Sequence, residues 1–253
     1  MSRLRTENLQ KHFGGLAAVA GVTIVVETGE RRAVIGPNGA GKTTLFNLIT
    51  GELSSTGGMV YLDGQDITTM PVHTRANLGL GHTFQRNNLF AGLSALENVR
   101  LAVQHHRGVA PIFFRAAKTF NEVTAEAVGI MEQVGLSSNH EQIASTLAYG
   151  QQRALEIALA LATDPQVLLL DEPTAGMSAA ETKDMVQLID ALPRTITLLI
   201  VEHDMEVVFR LADRITVMHY GEVVNEGVPN EIRADATVQE IYLGAASSGK
   251  SDT

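Results

Sequence analysis

The chain has 253 residues, 45% of them apolar, a formal net charge of −9 and no cysteine. Its length exceeds the ~150 residues of an average domain and excludes a peptide or a disulfide-stapled mini-scaffold. The missing cysteine removes disulfides, thiolate metal sites and cysteine nucleophiles, and the acidic balance disfavours nucleic acid as a partner. The longest aliphatic runs, such as Val167 to Leu170, fall far short of the ~20 residues that span a bilayer. The first residues are of mixed polarity and lack the apolar stretch of a secretory signal, which reads as a chain that stays inside the cell.

In chain order, Leu4 to Leu62 predicts short strands broken by glycine turns. One strand, Gly21 to Val26, ends at Gly29, and another, Arg32 to Ile35, ends at Gly36. After Gly36 the pattern switches: Leu45, Leu48 and Ile49 recur at helical spacing within Thr43 to Leu53. From about Arg86 to Asp164 β-branched runs disappear, and Leu155, Ala158, Leu159 and Ala162 mark one helical face, which predicts a mostly helical insert over 86–164. Strand signals return at Val167 to Leu170, Thr197 to Val201 and Ile215 to Met218, with helical stretches between them. The fold class is therefore α/β, with 1–85 and 165–244 forming one sheet-based lobe. The segment Ala245 to Thr253 is too small and polar to repay the entropy of ordering, and is expected to be a disordered tail.

Three clusters carry chemistry. The first is Gly36-Pro37-Asn38-Gly39-Ala40-Gly41-Lys42-Thr43, which matches G-x-x-x-x-G-K-[ST] between a predicted strand and a predicted helix. Glycines let the backbone curl so that successive amides face phosphate oxygens, and a helix start adds the positive end of its dipole. Lys42 would neutralise β- and γ-oxygens, and the Thr43 hydroxyl would ligate Mg2+.

The second cluster is Asp171-Glu172, two acids closing the apolar run from Val167. Asp171 would hold the Mg2+ shell and Glu172 would polarise the water that attacks the γ-phosphate. The third is His203, which follows the aliphatic strand ending at Val201 and should emerge on the same sheet edge, within reach of the γ-phosphate or the water. His105, His106, His82 and His219 read as structural or surface residues.

In this combination and order the motifs resemble the ATP-binding cassette (ABC) ATPases. Leu147-Ala148-Tyr149-Gly150-Gln151 is similar to that family's signature loop, Gln85 in Thr83-Phe84-Gln85 to its glutamine loop, and Phe13 to the aromatic that stacks on adenine. The resemblance implies a P-loop NTPase (RecA-like) core, an antiparallel β subdomain and an inserted α-helical subdomain, all in a single cassette domain over 1–244. It implies ATP and Mg2+ as cofactors. ATP would be held by Phe13, residues 36–43, Thr44 and Gln85, and Mg2+ by Thr43, Gln85 and Asp171. Ala148, Gly150 and Gln151 would cap the nucleotide of a second cassette subunit, so a lone chain would own half of each site.

Within that family the chain is most similar to the ATPase subunits of branched-chain amino-acid importers. Residues 11–16 (KHFGGL), 83–96 (TFQRNNLFAGLSAL), the run YGQQRALEIALAL from Tyr149 and Ile241-Tyr242-Leu243-Gly244 carry this likeness. It implies a membrane permease and, indirectly, a solute-binding protein as partners, and a peripheral place on the inner face of the cell membrane. Urea, amide and lipopolysaccharide transport ATPases share parts of these strings; the alternatives are therefore a cassette ATPase for urea, amide, lipid or lipopolysaccharide, a soluble non-transport cassette ATPase, and a degenerate nucleotide-binding module, against which the retained Lys42, Gln85, Asp171, Glu172 and His203 argue. Two departures stand out. Ala148 replaces the signature's usual serine hydroxyl, and Ser178 stands where many relatives carry an acid.

Overall fold

The computed structural model describes residues 2–83, 89–108 and 117–248, without the side chains of 117–120 and 243–248. Strands β1 (Ser2–Phe13) and β2 (Leu16–Glu27) form a hairpin of two 12-residue strands, longer than the short runs the glycines predict. Gly21 does not begin the strand: with φ +84 it faces Asn8 (φ 46) where the register slips between Thr6 and Leu9, so β2 starts earlier and passes through a bulge there. Strand β3 (Arg31–Ile35) leads through the glycine loop into helix α1 (Lys42–Thr50). Gly51, at φ +86, stops α1 before the Leu53 that its periodicity predicts.

Next come β4 (Gly57–Leu62), β5 (Gln65–Asp66), the short helix α2 (Val72–Asn77) and β6 (Leu80–His82). Helices α3 (Ala95–His106), α4 (Ala117–Gln133) and α5 (Tyr149–Leu161) occupy the segment expected to be helical. The chain then alternates through β7 (Val167–Asp171), α6 (Ala179–Ala191), β8 (Thr197–Val201), α7 (Met205–Leu211) and β9 (Arg214–His219). It closes with β10 (Glu222–Gly227), α8 (Pro229–Ala234) and α9 (Ala236–Ser248). Helix α9 takes in the first four residues of the expected tail, and the rest of it, 249–253, lies outside the described residues. The helix carries the backbone through Ala245 and Ala246, strong helix formers, to Ser248, because Val238 and Tyr242 have already docked its start onto the core.

Two sheets result. The antiparallel one has the order β2-β1-β4-β5, and the larger has the order β10-β9-β3-β8-β7-β6, parallel from β9 to β6 with β10 antiparallel at one edge. The alternation within β7 and β8 sorts their side chains to two faces. Val167, Leu169, Leu199 and Val201 pack with Leu45, Phe46, Leu48 and Ile49 of α1 and with Leu4 and Val19 of the antiparallel sheet. Leu168, Leu170, Leu198 and Ile200 face the other way, into a cluster with α3 to α6. Each such buried side chain contributes roughly 1.5–3 kcal/mol, so slipping either strand by one residue would forfeit both clusters. Because β3, β7 and β8 run in parallel and in register, Val34 and Asp171 both pair with Val201, and the loops that follow all three strands leave the sheet at one level.

Candidate functional site

That common level assembles the first site. Leaving β3, the chain turns at Gly36, where a Cβ would lie 2.2 Å from the Met218 carbonyl oxygen. At Gly41 (φ +99) a Cβ would lie 2.3 Å from the Ala18 carbonyl oxygen. Close approach of two flanking strands therefore demands glycine at both positions. No side chain caps α1, whose first turn begins at Lys42 and holds Thr43 and Thr44, so its leading amides are available to an anion.

The Lys42 side chain is buried, and its Nζ donates to the carbonyl oxygens of Gly36 (2.7 Å) and Pro37 (3.1 Å). Burial pulls its pKa below the ordinary lysine value, while the charges of Glu172 and then Asp171 oppose that shift. The lysine from the glycine loop thus shares an electrostatic environment with both acids. Asn38 and Gly39 are exposed at the loop's outer rim, and Ala40 is buried beneath it.

Asp171 is the last residue of β7 and is buried, whereas Glu172 steps out of the strand with its side chain 42% exposed. Glu172 adopts φ +47, a left-handed conformation unusual for a non-glycine residue, while its backbone N–H donates to Val201 (2.8 Å). His203 Nδ1 lies 3.8 Å from Glu172 Oε1. The structure therefore brings Lys42, Asp171, Glu172 and His203 to one end of the parallel sheet. By contrast His82, which read as structural, contacts Glu52 (3.1 Å).

Phe13 closes the β1–β2 hairpin opposite Leu16, two residues before the Ala18 carbonyl that Gly41 approaches. Its ring is half exposed, with the Lys11 ammonium 5.3 Å from the ring centroid. The signature-like residues behave differently from a loop. Tyr149, Gly150 and Gln151 form the first turn of α5, and Ala148, lacking a side-chain oxygen, offers no cap. Instead, the Gln151 side chain accepts from the Ala148 N–H (3.1 Å) and Glu181 Oε1 accepts from the Gly150 N–H (3.3 Å). Gln85 lies outside the described residues.

Sequence reasoning missed the ties among these parts. Ser178 caps α6 and donates through its N–H and hydroxyl to Glu181 (2.9 and 2.7 Å). These bonds and the Gly150 amide hold the Glu181 carboxyl below its usual pKa. Tyr149 donates to the Ala175 carbonyl (3.0 Å), and buried Glu202 gathers Thr174 and His203. The one available signal was Glu202 itself, an acid closing an apolar strand just as Asp171 does.

The donor set fits a magnesium-chelated triphosphate. The Thr43 hydroxyl and Asp171 carboxylate offer oxygens of the kind a hard cation takes, and an ammonium with an uncapped helix start suits phosphate. Gly36 and Gly41 let the loop pass against the Met218 and Ala18 carbonyls, where any Cβ would collide.

Comparison with known proteins agrees with this geometry. The ABC transporter family pattern matches residues 19–175. The chain is 41% identical to the high-affinity branched-chain amino acid transport ATP-binding protein BraF of Pseudomonas aeruginosa, over 97% of this chain and 100% of BraF. It is 39% identical to LivG of Escherichia coli K12, over 96% and 98% respectively. Among solved structures, the ADP conformation of MJ1267, an ATP-binding cassette of an ABC transporter, superposes with a TM-score of 0.83 at 32% identity, covering 96% of this chain and 99% of the other. The dimeric cassette MJ0796 gives a TM-score of 0.76 at 28% identity, covering 89% of this chain and 98% of the other. Glycine cradle, acidic strand end, sheet order and full-length similarity converge, and the chain belongs to the ABC transporter family as an ATP-binding cassette.

Proposed function

We propose that this chain is the ATP-hydrolysing subunit of an importer for branched-chain amino acids, acting as one of two cassettes beneath a membrane permease that receives solute from a binding protein. The observation that carries the reading is the convergence of Lys42, Asp171, Glu172 and His203 at one sheet end in a chain 41% identical to BraF over nearly its whole length. Among the described residues no helix is long and apolar enough to cross a membrane. In this reading the path for solute belongs to the permease, and the cassette sits at the membrane's inner face, as its likeness to transport ATP-binding subunits supports.

Bound Mg2+-ATP supplies the phosphoryl group to be transferred and the divalent charge that offsets its oxygens. The protein's own residues do the rest. Phe13 offers a ring face to adenine. The 36–44 segment surrounds the phosphates with amides, and Lys42 brings its positive charge to the β- and γ-oxygens. Thr43, Asp171 and Gln85 hold the cation. Glu172 takes up a proton from the attacking water and orients it, and His203 steadies the γ-phosphate side of that geometry. Ala148, Gly150 and Gln151 close over the partner cassette's nucleotide, and dimer closure and reopening drive the permease.

The test is the assembled transporter in vesicles. Leucine uptake and ATP release of phosphate should rise together in the wild type, and Glu172→Gln should keep ATP binding while abolishing both. Normal turnover in that variant would refute Glu172 as the base. ATP turnover stimulated by a different solute, and not by leucine, would replace the cargo while keeping the cassette.

A further inference from the structure

Glu202 is a carboxylate with no exposed surface, placed between strand β8 and His203, and the reading above gives it no task. Its two oxygens serve two different loops. Oε1 accepts from the Thr174 N–H at 3.0 Å and the Thr174 hydroxyl at 2.6 Å. Oε2 accepts from the His203 N–H at 3.0 Å and, at longer range, the Asp204 N–H at 3.5 Å. Thr174 lies two residues beyond Glu172, so one side chain spans the segment carrying the strained acid and the segment carrying the imidazole.

Burying a carboxylate is costly unless its lone pairs are filled, and here every contact is a donor pointing inward. The position needs acceptor oxygens at both ends, which a carboxamide lacks, since its NH2 would be set against donors on one loop or the other. Glu172 holds φ +47 only if its surroundings over-determine it, and the Thr174 anchor is one of the constraints that do so.

We propose that Glu202 is a positioning residue for ATP hydrolysis, fixing through Thr174 and the His203 backbone the mutual placement of Glu172 and the imidazole. This rests on the proposed hydrolysis at Glu172 and extends it to a residue that touches neither nucleotide nor water. Its contribution belongs to turnover and not to nucleotide affinity, because the glycine cradle and Lys42 are held by other contacts.

The experiment uses the assembled transporter with Glu202→Gln, Thr174→Val, Thr174→Ser, His203→Ala and the Glu202→Gln/His203→Ala double variant. Phosphate release is read against ATP concentration, and melting temperature and nucleotide binding are recorded for each. Glu202→Gln is expected to lower kcat about 10- to 100-fold with KM for ATP within about twofold. Thr174→Val is expected to lower kcat about 3- to 10-fold, and Thr174→Ser, which keeps the hydroxyl, to restore it. His203→Ala keeps the backbone N–H and the Thr174 bonds, so in that background Glu202→Gln should lose only the part of its cost that acts through the imidazole and still lower kcat, by less than it does alone.

Equal fold-losses in both backgrounds, a change confined to KM, or unchanged kcat in Glu202→Gln would each overturn the proposal. Should Glu202→Gln fail to fold, the threonine pair decides it: equal kcat for Thr174→Val and Thr174→Ser overturns it. Loss of turnover in Glu172→Gln checks the underlying reading separately, so normal turnover there defeats hydrolysis at Glu172, whereas a silent Glu202→Gln beside a dead Glu172→Gln defeats this inference alone.

Discussion

The Tyr149 hydroxyl donates a 3.0 Å hydrogen bond to the Ala175 carbonyl, joining the first turn of the signature helix α5 to the loop that follows Glu172 in the same chain. Arg153 donates to that hydroxyl from two nitrogens, at 3.2 and 3.0 Å, and is itself paired with Glu156 at 2.9 Å. A movement of the loop that follows Glu172 is therefore felt by the first turn of α5. Tyr149→Phe should lower stability by about 1 kcal/mol, or roughly 2–4 °C in melting temperature, and reduce ATP turnover more than ATP binding. Calorimetry with a steady-state ATPase assay checks this; wild-type values in both would mean that the bond carries nothing.

Lys42 gives a pH prediction whose sign follows from its burial. Its charged form is disfavoured in the folded chain, so the fold surrenders that proton before the unfolded chain does. In the window below the ordinary value of 10.5 the unfolded state binds more protons, and stability rises with pH there. In the proposed role Lys42 meets the phosphates in its charged form, and on that reading ATP affinity should fall across the same window. A Lys42→Met variant should bind ATP weakly at every pH, with a flat profile. Titrating ATP affinity from neutral to alkaline pH separates the two, and parallel curves for wild type and variant would contradict the assignment.

The glycine cradle is a stereochemical requirement. Gly36→Ala would drive a Cβ to 2.2 Å from the Met218 carbonyl, a backbone atom that cannot swing aside. A loss of roughly 1–3 kcal/mol is expected, together with loss of nucleotide-induced stabilisation. By contrast Gly64→Ala, at a similarly left-handed turn with nothing within 4 Å, should cost only backbone strain and leave ATP binding intact. Melting curves with and without Mg2+-ATP test the pair; equal effects would show that close approach is not what selects glycine at 36.

Tyr242 on α9 packs in the cluster that holds Ile35, and burial pushes its phenol up to about 12, with the Gly36 backbone opposing. Below the reference value of 10.0 both states keep the proton and stability does not depend on it. Between 10.0 and about 12 the unfolded chain has lost a proton that the fold retains, so stability falls as pH rises. Tyr242→Phe should melt less steeply with pH in that range than the wild type. Identical slopes would place the phenol in water.

Much of the site was legible in the sequence because it depends on local chain geometry. Gly36 to Thr43 sits between a run of β-branched residues and a helical period, and the acids at 171–172 close an apolar strand. The extent of β1 and β2 was not legible, because a bulge at Gly21 and Asn8 absorbs what reads locally as a break. Nor was the end of α9, which follows from Val238 and Tyr242 docking the start of the helix onto a distant part of the core.

Residue types and spacing alone determined that this protein carries a phosphate cradle, an acidic strand end and a following histidine, because a glycine turn, an apolar run and a helix period are encoded among near neighbours. Only the tertiary structure decided that Glu202 binds Thr174 as well as His203, that Tyr149 reaches Ala175 and that Gly36 must lack a Cβ. Those contacts join residues brought together by parallel strand register and sheet order, and sheet order arises from burying both faces of β7 and β8 at once.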